Sequence, residues 1–259
     1  MADLTSHRIS RFGWIPDLPD ARDHTYLLAP RVKALPRVDL RPECPPVYDQ
    51  GQLGSCTANA IGAAIQFDRM KQSLSPDFVP SRLFIYYNER VIEHTVSTDS
   101  GAMIRDGIKA TSKLGVPPET EWPYAINHFT TPPSVKAYQD ALANRAVSYA
   151  RLRRYLTSFK NCLAAGYPFV FGFSVYESFE SIVVDKTGTV PMPTNKEQLL
   201  GGHAVLAVGY DNPSRRFIVR NSWGTGWGDA GYFTMPYEYL TDANLSDDFW
   251  TIRLVGSGA

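Results

Sequence analysis

The sequence predicts an α+β fold, with helices gathered in the first half, strands in the second and a cleft where they meet. Three observations predict it. Apolar residues recur at helical spacing between about Leu35 and Asn144, and strand-like runs dominate from about Val147 onward. The third is composition: 259 residues, 44% hydrophobic and 20% charged, are typical of a chain that buries a core without disulfides or metals. Length alone allows one or two domains. The expected division is an extended arm over 1–34 and a main unit over 35–259, itself split into a helical part (about 35–146) and a strand-rich part (about 147–259).

In the arm, Arg11 to Asp20 mixes Pro, Gly and Asp with large apolar groups and has neither helical nor strand period. Phe12, Trp14, Ile15 and Leu18 read as anchors that pack the arm onto something. After Cys56, the residues Ala60, Ala63, Ala64, Phe67 and Met70 keep helical spacing until Ser73 to Pro76. Pro80 to His94 is a second helix, with Leu83, Tyr86, Tyr87 and Val91 on one side. Ala102 to Leu114 is a third, closed by Gly115 and then Pro117. Residues 134–144 form a fourth, weaker one. A helical stretch from Phe159 to Ala165 leads into a β-rich run from Tyr167 to Val175. His203 to Tyr210 is almost continuously apolar, as a buried strand is. Arg216 to Asn221, Gly231 to Met235 and Phe249 to Val255 complete the strands.

Composition excludes several classes. Lys plus Arg equals Asp plus Glu at 26 each, so nothing pulls the chain towards nucleic acid or an anionic membrane. No stretch approaches the roughly 18 apolar residues of a membrane span. Met1 to Arg8 offers no apolar core for a secretory signal. Cys44, Cys56 and Cys162 form no CxxC pair, and no Cys/His cluster has zinc spacing. Cys44 and Cys162 read as small buried hydrophobes.

Cys56 reads differently. It follows the loop Gly51-Gln52-Leu53-Gly54-Ser55 and opens the best helix in the chain, where the macrodipole favours a thiolate. A dipole contribution of about 0.3–2 kcal/mol lowers a thiol pKa by roughly 0.2 to 1.5. From a start near 8.5 that does not ionise the thiol at neutral pH, so a cationic neighbour is required, and an imidazolium is the natural one. His7, His24, His94 and His128 sit in the arm or among polar and turn residues. His203 alone opens a buried strand, after Gly201-Gly202. Eighteen residues on, Asn221-Ser222-Trp223-Gly224 ends another strand. An Asn amide can engage one imidazole nitrogen and leave the other for sulfur, with Trp223 shielding that bond from water.

The segments Gln50-Gly51-Gln52-Leu53-Gly54-Ser55-Cys56, Gly202-His203-Ala204-Val205 and Asn221 to Gly228 together resemble the papain-like cysteine peptidases. They stand in that family's order, with the histidine 147 residues after the cysteine. The likeness runs from about Leu35 to the C-terminus. It implies a two-lobed fold with a helical lobe, an antiparallel β-barrel-like lobe and the active site between them. It implies Cys56 as nucleophile, His203 as general base and then acid, Asn221 as the residue that orients His203, and Gln50 as an oxyanion donor beside the Cys56 N–H. It also places Gly101 and Ala102 along the substrate backbone. Met103, Ile104, Gly202, Ala204 and Trp223 then stand around the substrate, with an apolar pocket for a bulky hydrophobic residue upstream of the scissile pair.

Leu53, Thr57 and Gly202 depart from the family pattern, where a disulfide cysteine, an aromatic residue and often an aspartate stand. Leucine in place of the cysteine suits maturation without oxidation, so a reducing, cytoplasmic location is expected. The activity implied is a cysteine endopeptidase, working as a monomer on peptides, without metal or organic cofactor. Acyl transfer by the same nucleophile and a silent peptide-binding module are the rivals. Asn221 as third member counts against the first, and the retained set of four against the second. Nothing in residues 1–34 resembles the family's helical prodomain. The arm is expected either to lie in the cleft and restrain activity or to brace the back of the fold.

Overall fold

The computed structural model describes residues 12–21, 23, 25 and 35–256. Met1 to Arg8 and His24 lie outside the described residues. Helices α1 (Cys56–Lys71), α2 (Arg82–Ile92), α3 (Ile104–Leu114) and α4 (Val135–Ala141) occupy the first half. The second half carries β4 (Arg145–Arg151), α5 (Leu156–Ala164), β5 (Phe169–Tyr176), α6 (Ile182–Thr187), β6 (Leu199–Asp211), β7 (Arg216–Arg220), β8 (Tyr232–Pro236), α7 (Tyr237–Thr241) and β9 (Ser246–Gly256). Three short strands precede α3: β1 (Trp14–Ile15), β2 (Arg37–Asp39) and β3 (Ala102–Met103).

Helix α1 is the hub. All its residues from Cys56 to Arg69 are buried, as expected for a helix enclosed on every side. Ala58, Ala60, Gly62, Ala63 and Ala64 let neighbours come close, with β6 and β9 packing on it from one side and α2 and α3 from the other. Its stripe ends in water at Met70, which is 37% exposed. Helix α2 starts at Arg82, not at Pro80, because Ser81 is its cap: the Ser81 hydroxyl accepts the Phe84 N–H at 3.2 Å. Helix α3 starts two residues later than its sequence pattern suggests, since Ala102 and Met103 are extended and pair with β1. It stops as expected at Gly115, with φ +75°.

Strands β4 to β9 form one antiparallel sheet in the order β4-β9-β5-β6-β7-β8, β2 pairs with the far end of β6, and β1 and β3 make a separate parallel pair. The sheet stays open, with β4 and β8 at its ends, so barrel closure is not realised. Its face carries a phenylalanine core in which Phe159 stacks on Phe169 and Phe171 on Phe249. Strand β6 is the axis of this half. Its first part pairs with β5 and its second with β7, which sets His203 opposite Phe173 and Ala204 opposite Gly172.

The arm runs over the junction of helices and sheet. Phe12, Trp14 and Ile15 are covered to differing degrees, as expected of anchors. Leu18 is not an anchor: it is 66% exposed, and its carbonyl accepts from Arg105.

Candidate active site

Cys56 is the first residue of α1, and the loop before it is tied down from both sides. The Gln50 N–H donates to the Ser222 carbonyl at 2.9 Å, and the Gly54 N–H donates to Asp99 at 3.1 Å. Leu53 is 2% exposed and joins the core where a disulfide would otherwise fasten the loop. Thr57, in place of an aromatic, points into the helices and donates its hydroxyl to the buried Glu89 at 2.8 Å.

Strand β6 brings His203 and Ala204 to this helix end, and the Ala204 N–H donates to Cys56 Sγ at 3.4 Å. His203 is completely buried. Its Nε2 lies 2.8 Å from Asn221 Oδ1, and Nδ1, on the other side of the ring, has no hydrogen-bond partner among the described residues. Asn221 follows β7, and its Oδ1 also accepts the Ser222 N–H at 2.8 Å, which fixes the amide's orientation. Trp223 lies on the imidazole with ring centres 4.9 Å apart, and Phe173 meets it edge-on at 5.8 Å. This aromatic box keeps water from the His203–Asn221 bond.

Gln50 is 1% exposed and held at both ends of its amide. Its Oε1 accepts from the Ser222 hydroxyl at 2.6 Å, and its Nε2 donates to the Leu53 carbonyl at 2.9 Å. An amide nitrogen has two hydrogens, so one remains for an incoming oxygen. Cys56, His203, Asn221 and Gln50 thus converge from three separate segments: the loop and start of α1, strand β6, and the turn after β7.

The arm crosses this convergence. The Gly13 carbonyl accepts the Ala102 N–H at 2.8 Å, the Gly13 N–H is directed at Cys56 Sγ, and Phe12 meets His203 edge-on at 6.4 Å. Gly13 passes so close to the body that a Cβ there would fall 1.7 Å from the Gly54 carbonyl oxygen. Gly202 leaves room in the same way: a Cβ on it would lie 2.5 Å from the Trp14 carbonyl oxygen. Of the other residues expected around the substrate, Gly101, Ala102 and Met103 run beside the arm, with β1 pairing parallel to β3. Ile104 and Ala204 are fully buried in the core.

Burial under the arm decides the charge state. It pushes the Cys56 thiol up to about 12 and His203 down to about 4, against the opposing pull of the Ala204 and Gly13 N–H groups on sulfur and of Asn221 on the ring. Covered, the two groups are a neutral thiol and a neutral imidazole. The charged pair belongs to a site that water or substrate has entered.

The rest of the arm ends in charges that the sequence did not single out. The Asp17 carboxylate accepts the Arg105 N–H at 3.0 Å, so it caps α3, whose own N-cap Met103 has no capping side chain. Asp17 also accepts from the Trp250 indole at 3.0 Å. Arg105 pairs with Asp23 at 2.8 Å, Lys109 with Asp20 at 3.1 Å, and Arg151 bridges Asp23 and Asp248 at 3.3 and 3.0 Å. The spacing Asp17-Asp20-Asp23 was the available signal.

The sequence model described as "Papain family cysteine protease" matches residues 35–248. The solved structure of xylellain, a cysteine protease from Xylella fastidiosa, is 50% identical, covers 93% of this chain and 95% of its own, and superposes with a TM-score of 0.88. An uncharacterised peptidase C1-like protein of Acanthamoeba polyphaga mimivirus is 45% identical over 97% of this chain and 90% of its own length. Cysteine proteinase 3 of Entamoeba histolytica is 28% identical over 90% of this chain and 73% of its own. With a matched region that takes in all four converging residues, the chain belongs to the papain family of cysteine proteases.

Proposed function

We propose that this cysteine protease is an endopeptidase that rests with its arm in the cleft. Cys56 attacks a peptide carbonyl and forms a thioester. His203 takes the thiol proton on Nδ1, passes it to the leaving amine, and then activates the water that hydrolyses the acyl enzyme. Asn221 holds the ring so that Nδ1 faces the sulfur, and the second Gln50 Nε2 hydrogen and the Cys56 N–H receive the oxyanion. The observation that carries this reading is the buried His203 with Nε2 fixed on Asn221, next to an Ala204 N–H that touches Cys56 Sγ.

What the arm presents to sulfur supports restraint. The arm covers the sulfur, with Gly13 beside Cys56 and the Phe12 ring on His203. The slot that Trp14 occupies is wide enough for a bulky side chain upstream of the scissile pair.

Hydrolysis of a fluorogenic peptide library by the unaltered chain, Gly13→Val and Cys56→Ala tests both parts. Gly13→Val is expected to cleave faster than the unaltered chain, and Cys56→Ala not at all. Turnover that survives Cys56→Ala removes the nucleophile, and equal rates for the first two remove the restraint.

A further inference from the structure

Trp14 occupies a slot that the body builds around an indole. Its floor is Gly172 of β5 and Gly202 of β6, where a Cβ would come within 2.0 Å of the indole Cε2 and 2.8 Å of Cε3 respectively. Its wall is Ala102, the register partner of Trp14. Its far end is Asp248, whose side chain is 1% exposed. The Trp14 indole Nε1–H donates to Asp248 Oδ2 at 3.1 Å, and the Asp17 N–H donates to the same oxygen at 2.8 Å. The other oxygen, Oδ1, accepts from Arg151 at 3.0 Å.

Asp248 is held there by backbone that a strand does not ordinarily adopt. Its φ is +58°, and the pairing of β9 with β5 breaks register between Val170–Trp250 and Gly172–Asp247. A bulge of this kind redirects one side chain out of the strand alternation, and bulges recur beside active sites for that purpose. When the arm leaves, Oδ2 loses both of its donors together, while Arg151 keeps Oδ1 in place. A buried acceptor aimed into an emptied, flat-floored slot is then a reader of whatever enters.

We propose that Asp248 determines substrate specificity: the slot takes a tryptophan side chain of the peptide, immediately upstream of the scissile pair, and the indole N–H is donated to Asp248 Oδ2. The inference rests on the peptidase reading above and on displacement of the arm. Phenylalanine and leucine fill the slot less completely and leave Oδ2 without a donor. Arginine brings donors, but sets its cation towards Arg151, which already holds the same carboxylate. A site built to receive a substrate N–H separates that substrate from an isostere lacking it far better than a purely apolar pocket does.

The test uses the full-length Gly13→Val chain and peptides that differ only in the residue preceding the acyl-donating residue: tryptophan, 3-benzothienylalanine, phenylalanine, leucine and arginine. Benzothienylalanine keeps the shape of the indole and replaces N–H by sulfur, so it questions Asp248 without altering the protein. The expected result is a kcat/KM for tryptophan about tenfold or more above benzothienylalanine, with that ratio falling towards one in Asp248→Asn and Asp248→Ser. Equal turnover of the two isosteres means that the slot reads size alone and overturns the proposal, as does a preference for arginine or leucine. Cleavage of any member of the series keeps the peptidase reading standing whatever the ratio. Failure to cleave all of them removes that reading and this inference with it.

Discussion

The two halves of the arm are held by different physics. Phe12 to Ile15 lie in the cleft, held by the main-chain pairing of β1 with β3, by the Trp14 indole against Asp248, and otherwise by close fit over Gly101, Gly172 and Gly202. Asp17, Asp20 and Asp23 lie outside the cleft and are held mainly by charge, through the N-terminus of α3, Arg105, Lys109 and Arg151. In the resting state proposed above, the first half covers the sulfur and the second ties the arm to the body.

The sharpest break of this comparison is steric. Valine at position 13 would drive its Cβ into the Gly54 carbonyl, and overpacking even in adaptable cores costs about 1–3 kcal/mol. A contact at 1.7 Å exceeds anything relaxation accommodates, so Gly13→Val is expected to raise the open fraction by more than about 150-fold, the equivalent of roughly 3 kcal/mol. Alkylation of Cys56 at pH 6 reads this directly. Cys162, also completely buried but covered by the core and not by the arm, is the internal control and should not respond. Equal acceleration at both cysteines would mean general loosening and not release of the arm.

The charged half predicts graded effects. Arg105→Met removes the partner of Asp23 and of the Leu18 carbonyl, but leaves the Asp17 cap on the residue 105 N–H and the Arg151–Asp23 pair. Hydrogen bonds to charged groups contribute about 1.5–3 kcal/mol, so the open fraction should rise roughly 10- to 150-fold. Trp14→Phe deletes one donor to Asp248 Oδ2 while the Asp17 N–H still serves it. About 1 kcal/mol, or roughly fivefold in Cys56 alkylation, is expected. A Trp14→Phe effect larger than that of Arg105→Met would invert the division of labour between the halves.

The same contrast explains what the sequence made legible. Cys56, His203, Asn221 and Gln50 could be named because their chemistry restricts residue type and because each stands at an element boundary that periodicity marks. The helices and long strands followed from repeats that a buried face imposes. The glycines that admit the arm could not be read so: the reason for Gly172 and Gly202 is an indole supplied by residue 14, far away in the chain. Arg105 gave no sign either, because a cation in the first turn of α3 reads as a solvent-facing residue until Asp23 is seen against it. Asp248 stood just before the expected strand at Phe249, and only the bulge turns it inward. The two-residue pairing of β1 with β3 is shorter than any alternation that could announce it.

The smallest expected effect is that of pH, and its sign follows from which carboxyls the arm covers. Burial together with Asp17 and Asp247 holds Asp248 up at about 7 against the opposing charge of Arg151, and burial with Asp106 and Asp17 nearby holds Glu93 up at about 7. Asp17 and Asp106 are raised as well, both mainly by burial. A carboxyl that is protonated when covered and ionised when wetted takes up a proton as the arm docks, so docking tightens as pH falls from about 7 towards the ordinary carboxylate range near 4. Above about 7 these groups are ionised in both states and the dependence levels off. The Cys56–His203 pair adds no slope, because a neutral thiol with a neutral imidazole binds as many protons as a thiolate with an imidazolium. Dividing the hydrolysis rate of the unaltered chain by that of Gly13→Val at each pH removes the intrinsic pH profile of catalysis. That ratio should fall a few-fold between pH 7.5 and 5. A ratio that climbs on acidification would mean that the buried carboxyls around Asp248 do not set the pH response.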